Sequence, residues 1–203
     1  MINKGPEIVS VTKVDSEKDL GVLVDYDLNF RKDISSRANK ANKIMGVIHR
    51  SFSYLDNENF SRLYKTLVRP HVKYAAPVWS PMYKKDFDIL EGVQRRATIS
   101  IPNKKMKTYE ERLQTLKLPT LRFRRLLGDM IEVYKMTSGI YNTTTKCTIL
   151  LTLIFKIRGN YRCLTKRHAR TKLSQHFFSN HIVNPWNSPT QLIDYFFMQL
   201  GIW

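Results

Sequence analysis

Two periods divide the chain. β-Branched residues cluster in two short runs, residues 7–14 and 20–24, with Asp15, Ser16 and Gly21 supplying turn chemistry, and this pattern predicts a β-hairpin. Beyond Asn29 the spacing changes to three and four. Ile34, Ala38, Ala41, Met45 and Ile48 fall on one face of a helix, and Lys32, Lys40, Lys43 and Arg50 fall on the other.

Start and stop signals then mark four further helices. Asp56 is a good N-cap, and Leu55 before it and Phe60 after it are spaced for a hydrophobic staple. Phe60, Leu63, Tyr64, Leu67 and Val68 make the apolar stripe of this second helix, which Pro70 must kink or end, since proline lacks a donor and clashes with the preceding turn. Pro81, at a first helical position, opens a third helix with Phe87, Leu90, Val93 and Ala97 on its core face. Thr108 and Glu111 have the capping-box spacing and start a short helix that ends at Pro119. From Thr120 a longer helix turns Phe123, Leu126, Leu127, Met130, Ile131 and Tyr134 inward and Arg122 and Arg125 outward, with Gly139 as its C-cap.

The remainder is less regular. Residues 142–147 are rich in threonine and read as a linker, 158–172 are basic without helical periodicity, and 173–186 carry Phe177, Phe178, Ile182 and Val183 as a last ordered piece. The expected fold class is therefore mainly α. A short N-terminal β-hairpin occupies residues 1–30, a bundle of about five helices residues 31–140, and a linker with a loosely structured basic tail residues 141–203.

Charge changes the picture most. Across 203 residues, 34 Lys and Arg oppose 17 Asp and Glu, a net charge of +17. The excess is uneven: residues 1–30 carry −3, 31–83 carry +7, 84–140 carry +6 and 141–203 carry +7. Solubility needs only a few net charges, so basic charge spread over three successive segments points to a polyanion contacted through its phosphates, and nucleic acid is the leading partner class. An anionic membrane surface is the weaker partner, and the longest apolar run, 149–155 with Thr152 inside it, falls far short of the roughly 20 residues that a spanning helix requires. Cys147 and Cys163 are the only cysteines and no secretory leader opens the chain, so the expected compartment is reducing, nuclear or cytoplasmic.

Candidate chemistry is sparse. Asp25 and Asp27 flank Tyr26 after a strand, but the chain turns into a helix directly afterwards, where acids serve as turn or capping groups. Cys147, Cys163, His168, His176 and His181 lack the close ligand pairs of a structural zinc site, so no metal is expected. Tyr54, Tyr83, Tyr161, Trp79 and Trp186 are aromatics that bases can stack on, although Trp79, at a helix junction, reads as a core plug.

Several strings, taken in order, resemble the reverse transcriptases of jockey-like non-LTR retrotransposons. They are Glu17-Lys18-Asp19-Leu20-Gly21-Val22, Lys40-Ala41-Asn42-Lys43, Leu67-Val68-Arg69-Pro70 and Tyr74-Ala75-Ala76-Pro77-Val78-Trp79-Ser80-Pro81. Leu90-Glu91-Gly92-Val93-Gln94-Arg95-Arg96-Ala97, Tyr109-Glu110-Glu111-Arg112-Leu113, Phe177-Phe178-Ser179-Asn180 and Val183-Asn184-Pro185-Trp186-Asn187-Ser188-Pro189 continue the series. The resemblance implies a chain that begins at the last hairpin of the polymerase palm and continues through the thumb, without the upstream catalytic carboxylates or the endonuclease.

No two aspartates are adjacent in the sequence, so the family's Tyr-x-Asp-Asp turn has no counterpart. The isolated chain is accordingly expected to be no enzyme and to need no cofactor, since magnesium would belong to the missing palm. Its expected partner is a template–primer duplex of RNA or DNA bound without sequence preference, rather than a small-molecule substrate. Lys40, Lys43, Arg50, Arg95, Arg96, Arg122 and Arg125 are the candidate phosphate contacts. Pro185 departs from the family pattern and residues 193–203 do not align with it. Two alternatives stay open, a co-opted nucleic-acid-binding or interaction protein and a decayed reading frame with no selected role.

Overall fold

The computed structural model of the protein describes residues 13–99, 101, 107–138, 140 and 164–188. Strands β1 (Ser16–Asp19) and β2 (Val22–Asp25) pair antiparallel, with Ser16 opposite Asp25 and Asp19 opposite Val22. Leu20 and Gly21 join them with φ of 44° and 78°, a two-residue turn whose twist matches that of the strands. The first strand thus lies later than its β-propensity predicts. A two-residue turn sets the register, so the partner of 22–25 has to be 16–19, and Ser16 belongs to β1 rather than to a turn. Of the run 7–14 only Lys13 and Val14 are among the described residues, and both lie outside the strands.

Helix α1 (Arg31–Ser51) buries Ile34, Ala38, Ala41, Met45 and Ile48, the stripe that the spacing predicts. The Asp25 carboxylate accepts from the amides of Asn29 (2.8 Å) and Phe30 (3.4 Å), which is the turn role expected of it. Asp33 ties α1 back to the hairpin by accepting from the Leu23 amide at 3.0 Å and pairing with Arg37, which donates to the Gly21 carbonyl at 2.8 Å.

Helix α2 (Asn57–Leu63) starts on Asp56, whose side chain accepts from the Asn59 amide. The staple residues Leu55 and Phe60 are both buried in the main hydrophobic cluster. A π-helical turn, Tyr64–Val68, then leads directly into α3 (Arg69–Lys73). Pro70 therefore neither ends the helix nor stands alone as its disturbance: the Arg69 amide reaches back five residues to the Tyr64 carbonyl, and the helix resumes through the proline. The wide turn also shifts the phase. Phe60, Tyr64, Val68 and Val72 are buried at a spacing of four, while Leu67, expected inward, is 46% exposed.

Helix α4 (Lys84–Ile99) begins beyond Pro81 rather than at it, because the first amides to close a turn, those of Asp86 and Phe87, both bond to the Tyr83 carbonyl. Leu90, Val93 and Ala97 are buried as expected, together with Gln94 and Thr98. Helix α5 (Tyr109–Leu116) has the reciprocal capping box of Thr108 and Glu111, and Lys117, at φ 51°, ends it. Helix α6 (Leu121–Thr137) starts on Thr120, whose hydroxyl accepts from the Phe123 amide; Gly139 lies outside the described residues. Three short helices follow, α7 (Lys172–His176), α8 (Phe178–His181) and α9 (Val183–Asn187).

The molecule is thus mainly α: among the described residues the hairpin is followed by five helical rods, if α2, the π turn and α3 count as one, and then by the three short helices. The main hydrophobic cluster joins Val22 of the hairpin to α1, the α2–α3 rod, α4 and α5. A second cluster packs Met130 and Val133 of α6 against Leu164, Ile182 and Val183, so residues 164–188 close over the second half of α6.

That double duty rotates α6. Its buried positions include Leu121, Arg125, Asp129, Met130 and Val133, whereas Phe123, Leu126, Leu127, Ile131 and Tyr134 are only half-buried. Arg125, expected outward, is 7% exposed, and its guanidinium lies 3.8 Å from the centre of the Trp79 ring. Trp79 is the expected plug, buried, with its indole N–H donating to the Tyr74 carbonyl at 3.0 Å. Among the described residues no helix is long and apolar enough to cross a membrane.

Candidate nucleic-acid interface

A chain of interior hydrogen bonds shapes the surface where α4, α5 and α6 meet. The Tyr64 hydroxyl donates to Gln94 Oε1 (2.9 Å), and Gln94 Nε2 donates to the Tyr109 hydroxyl (3.1 Å) and the Pro119 carbonyl (2.9 Å). Tyr109 in turn donates to Glu91, whose second oxygen accepts from the Leu121 amide at 3.0 Å. One carboxylate on α4 thereby satisfies an otherwise free amide at the start of α6. Burial, followed by the hydrogen bond to Glu91, raises the Tyr109 pKa, and burial raises that of Tyr64, so both hydroxyls remain donors.

On this frame the predicted cations fall into separate groups. Lys40, Lys43 and Arg50 are exposed on α1 together with Lys32, because the opposite face of that helix is committed to the core. Arg96 of α4 adjoins them, donating to Asn42 Oδ1 of α1 at 3.3 Å. His71 of α3 sits on the other flank of α1, and burial, then the charges of Lys40 and Arg37, lower its pKa.

Arg95 and Arg122 are brought together elsewhere. They line a cleft of about 540 Å³ between α4, α5 and α6, with Arg95 over the Tyr109 ring and Arg122 over the Phe87 ring. Asp88, Glu91 and Glu110 line the same cleft, so its charge is largely balanced. Arg125 joins neither group, since it is buried against Trp79.

The cations that spacing did not single out lie in a larger groove of about 900 Å³ between the α2–α3 rod and the α5–α6 elbow, where Lys65, Arg69, Lys117 and Arg124 converge with one acid, Glu110. A signal for part of it was present, because Lys65, Arg69 and Lys73 repeat every four residues, each one position after Tyr64, Val68 and Val72. The π turn converts that repeat into a single row along the rod.

The other candidates have plainer roles. Tyr54 is exposed, Tyr83 carries Arg31 and Lys85 over its ring, Trp186 packs on the second cluster, and Tyr161, Cys147 and Cys163 lie outside the described residues. Among the described residues no group of three or more His, Cys, Asp and Glu is placed to hold a metal ion.

Over 140 residues the chain is 27% identical to an uncharacterized protein of Caenorhabditis elegans, with 68% of this chain and 69% of that protein covered. No family model matches the chain, and no solved structure matches it.

Proposed function

We propose that this chain is a nucleic-acid-binding domain that holds a template–primer duplex by its phosphates, as the thumb-like part of a non-LTR retrotransposon reverse transcriptase without the catalytic palm. The observation that carries the reading is the division of α1 into a fully buried apolar stripe and an exposed basic ridge, Lys32, Lys40, Lys43 and Arg50. Lys32 and Arg50 are about 27 Å apart along the helix axis at 1.5 Å per residue, and a duplex carries one phosphate charge per roughly 1.7 Å. The ridge therefore runs past many phosphates, and Arg96 widens it at its middle. Lys and Arg in such a row attract backbone charge by releasing counterions and read no base edges, so binding is indifferent to sequence. Polymer synthesis would belong to the palm of such an enzyme with its magnesium ions, and these residues alone extend no primer. Such a role implies the nucleus or the cytoplasm.

Anisotropy titrations of labelled duplex DNA and RNA–DNA hybrid at 50 to 200 mM salt test this. Neutralising about five phosphates gives a slope of log K against log salt of about −4.5 for the duplex, whatever its sequence. A slope near zero, or strong preference for one sequence, would overturn the reading.

A further inference from the structure

We infer that the groove between the α2–α3 rod and the α5–α6 elbow is a second site, one that takes a short single-stranded segment of nucleic acid. The inference rests on the nucleic-acid reading but not on the α1 ridge, since no residue of α1 lines the groove.

Its four cations face a single acid, Glu110. Among the described residues none of Lys65, Arg69, Lys117 and Arg124 forms a salt bridge, and the Arg124 Nε is buried without a hydrogen-bond partner. Burial, then the neighbouring Arg124, depress the pKa of Arg69, and the same two causes lower that of Lys73 next in the row, partly offset by Glu132 and Asp129. Lys73 lies across Gly128 of α6, its Cε 3.6 Å from where a Cβ would stand. Like charges held this close are destabilising until an anion comes between them.

Helix α6 adds to the same demand. Its N-cap, Thr120, lines the groove, and its first turn carries Arg124 there and no acid of its own, although Glu91 of α4, in the neighbouring cleft, supplies a carboxylate at the Leu121 amide. A phosphate there would be held by the dipole as well as by the side chains.

The groove's shape and its apolar lining favour one kind of strand. Phe123, Leu113 and Leu127 form apolar wall beside the cations, and Phe123 is half-buried yet belongs to neither hydrophobic cluster. A concavity of this size lies in the range that encloses small ligands, about 300 to 1,000 Å³. A duplex keeps its base faces stacked and would meet only the rim. A single strand offers phosphates and base faces together, the combination that a basic groove with an aromatic wall retains. An acidic peptide would supply anions but no flat ring for Phe123.

The test compares a labelled oligothymidylate of about ten nucleotides with a labelled duplex on the full chain. Arg69→Ala with Arg124→Ala should weaken the oligothymidylate about tenfold or more, as expected for losing two charged hydrogen-bond donors, and make its salt slope shallower by about 1.4. Duplex affinity should stay within about twofold, because the ridge of α1 is intact. Phe123→Leu, which keeps an apolar side chain in place, should cost the single strand about fivefold and the duplex nothing. Melting temperatures of both variants near wild type exclude a folding defect. Equal losses for the two nucleic acids, an unchanged single-strand affinity, or a polyglutamate peptide that binds the groove in preference to oligothymidylate would each overturn the inference. Failure of wild type to bind either nucleic acid would overturn the nucleic-acid reading itself.

Discussion

Helices α1 and α6 have similar lengths and similarly spaced apolar positions, yet they use their buried faces differently. In α1 each stripe residue is buried and each opposing cation is exposed. In α6 the buried row is Leu121, Arg125, Asp129 and Val133, two of whose four members are charged. Reading burial from apolarity assumes that a helix meets only apolar neighbours. That holds for α1 against the α2–α3 rod and α4, and it fails where α6 meets a broad aromatic surface.

A guanidinium is flat and weakly hydrated, so it can cover an indole where an ammonium could not. Burial lowers the Arg125 pKa to about 10, partly offset by the nearby Asp129 and reinforced by Arg37, so it stays charged at neutral pH. Asp129 accepts from His181 Nε2 at 3.0 Å, which fastens α8 onto α6. Arg125 Nε and Nη2 and Asp129 Oδ1 lack partners, and the interface bears that cost.

The largest expected effect tests what Arg125 covers. Trp79→Ala should cost about 3 to 5 kcal/mol in urea unfolding, because it opens a cavity beneath both Arg37 and Arg125. A cost below about 1 kcal/mol would mean that the indole is no support for α6. Met45→Ala should cost about 2 to 5 kcal/mol and leave the affinity of the folded protein for duplex unchanged, since Met45 faces away from the ridge.

Arg125→Met sharpens the contrast. It should alter stability by less than about 1.5 kcal/mol, because the apolar chain replaces the packing and removes unpartnered buried donors. Arg125→Ala should cost more by leaving the indole bare. If Met proved as damaging as Ala, the charge rather than the plane would hold this position.

On the opposite face of α1, Lys40→Ala with Lys43→Ala should change stability by no more than about half a kcal/mol at each site and make the duplex salt slope shallower by nearly 2. Wild-type binding by this variant would move the duplex site off α1.

The smallest effect concerns His71, whose folded pKa lies below its ordinary 6.5. The native state then takes up a proton less readily than the unfolded chain, so stability is full above about pH 6.5 and declines as pH falls through the folded value. His71→Gln should therefore lose less melting temperature than wild type between about pH 7.5 and pH 5. An equal loss would show that the flank of α1 facing Lys40 imposes no penalty on the imidazolium.

Much of the fold was legible in the sequence because its signals are local. The cap at Asp56, the capping box of Thr108 and Glu111 and the stripe of α1 each involve residues no more than a few positions apart, and the structure contains all three. Of the candidate site, the α1 cations are exposed as their spacing predicts, whereas Arg125 was misjudged because its charge argued for solvent and its plane fitted Trp79. The groove was missed because its cations come from the α2–α3 rod and from the α5–α6 elbow, which α4 separates along the chain.

What the sequence determined by itself is the mainly helical class, the starts of α2, α5 and α6 and the two faces of α1, since propensity, capping and amphipathic period act within a turn or two. Tertiary structure alone decided three things: the phase of the rod after the π turn, the side on which α6 is buried, and the convergence of Lys65, Arg69, Lys117 and Arg124. Each depends on contacts between residues far apart in sequence. Tyr64 with Gln94, Ser61 with the Leu116 carbonyl and Glu91 with the Leu121 amide are hydrogen bonds whose partners are 30, 55 and 30 positions apart. A buried donor must find its acceptor wherever packing leaves one, and no local period encodes that choice.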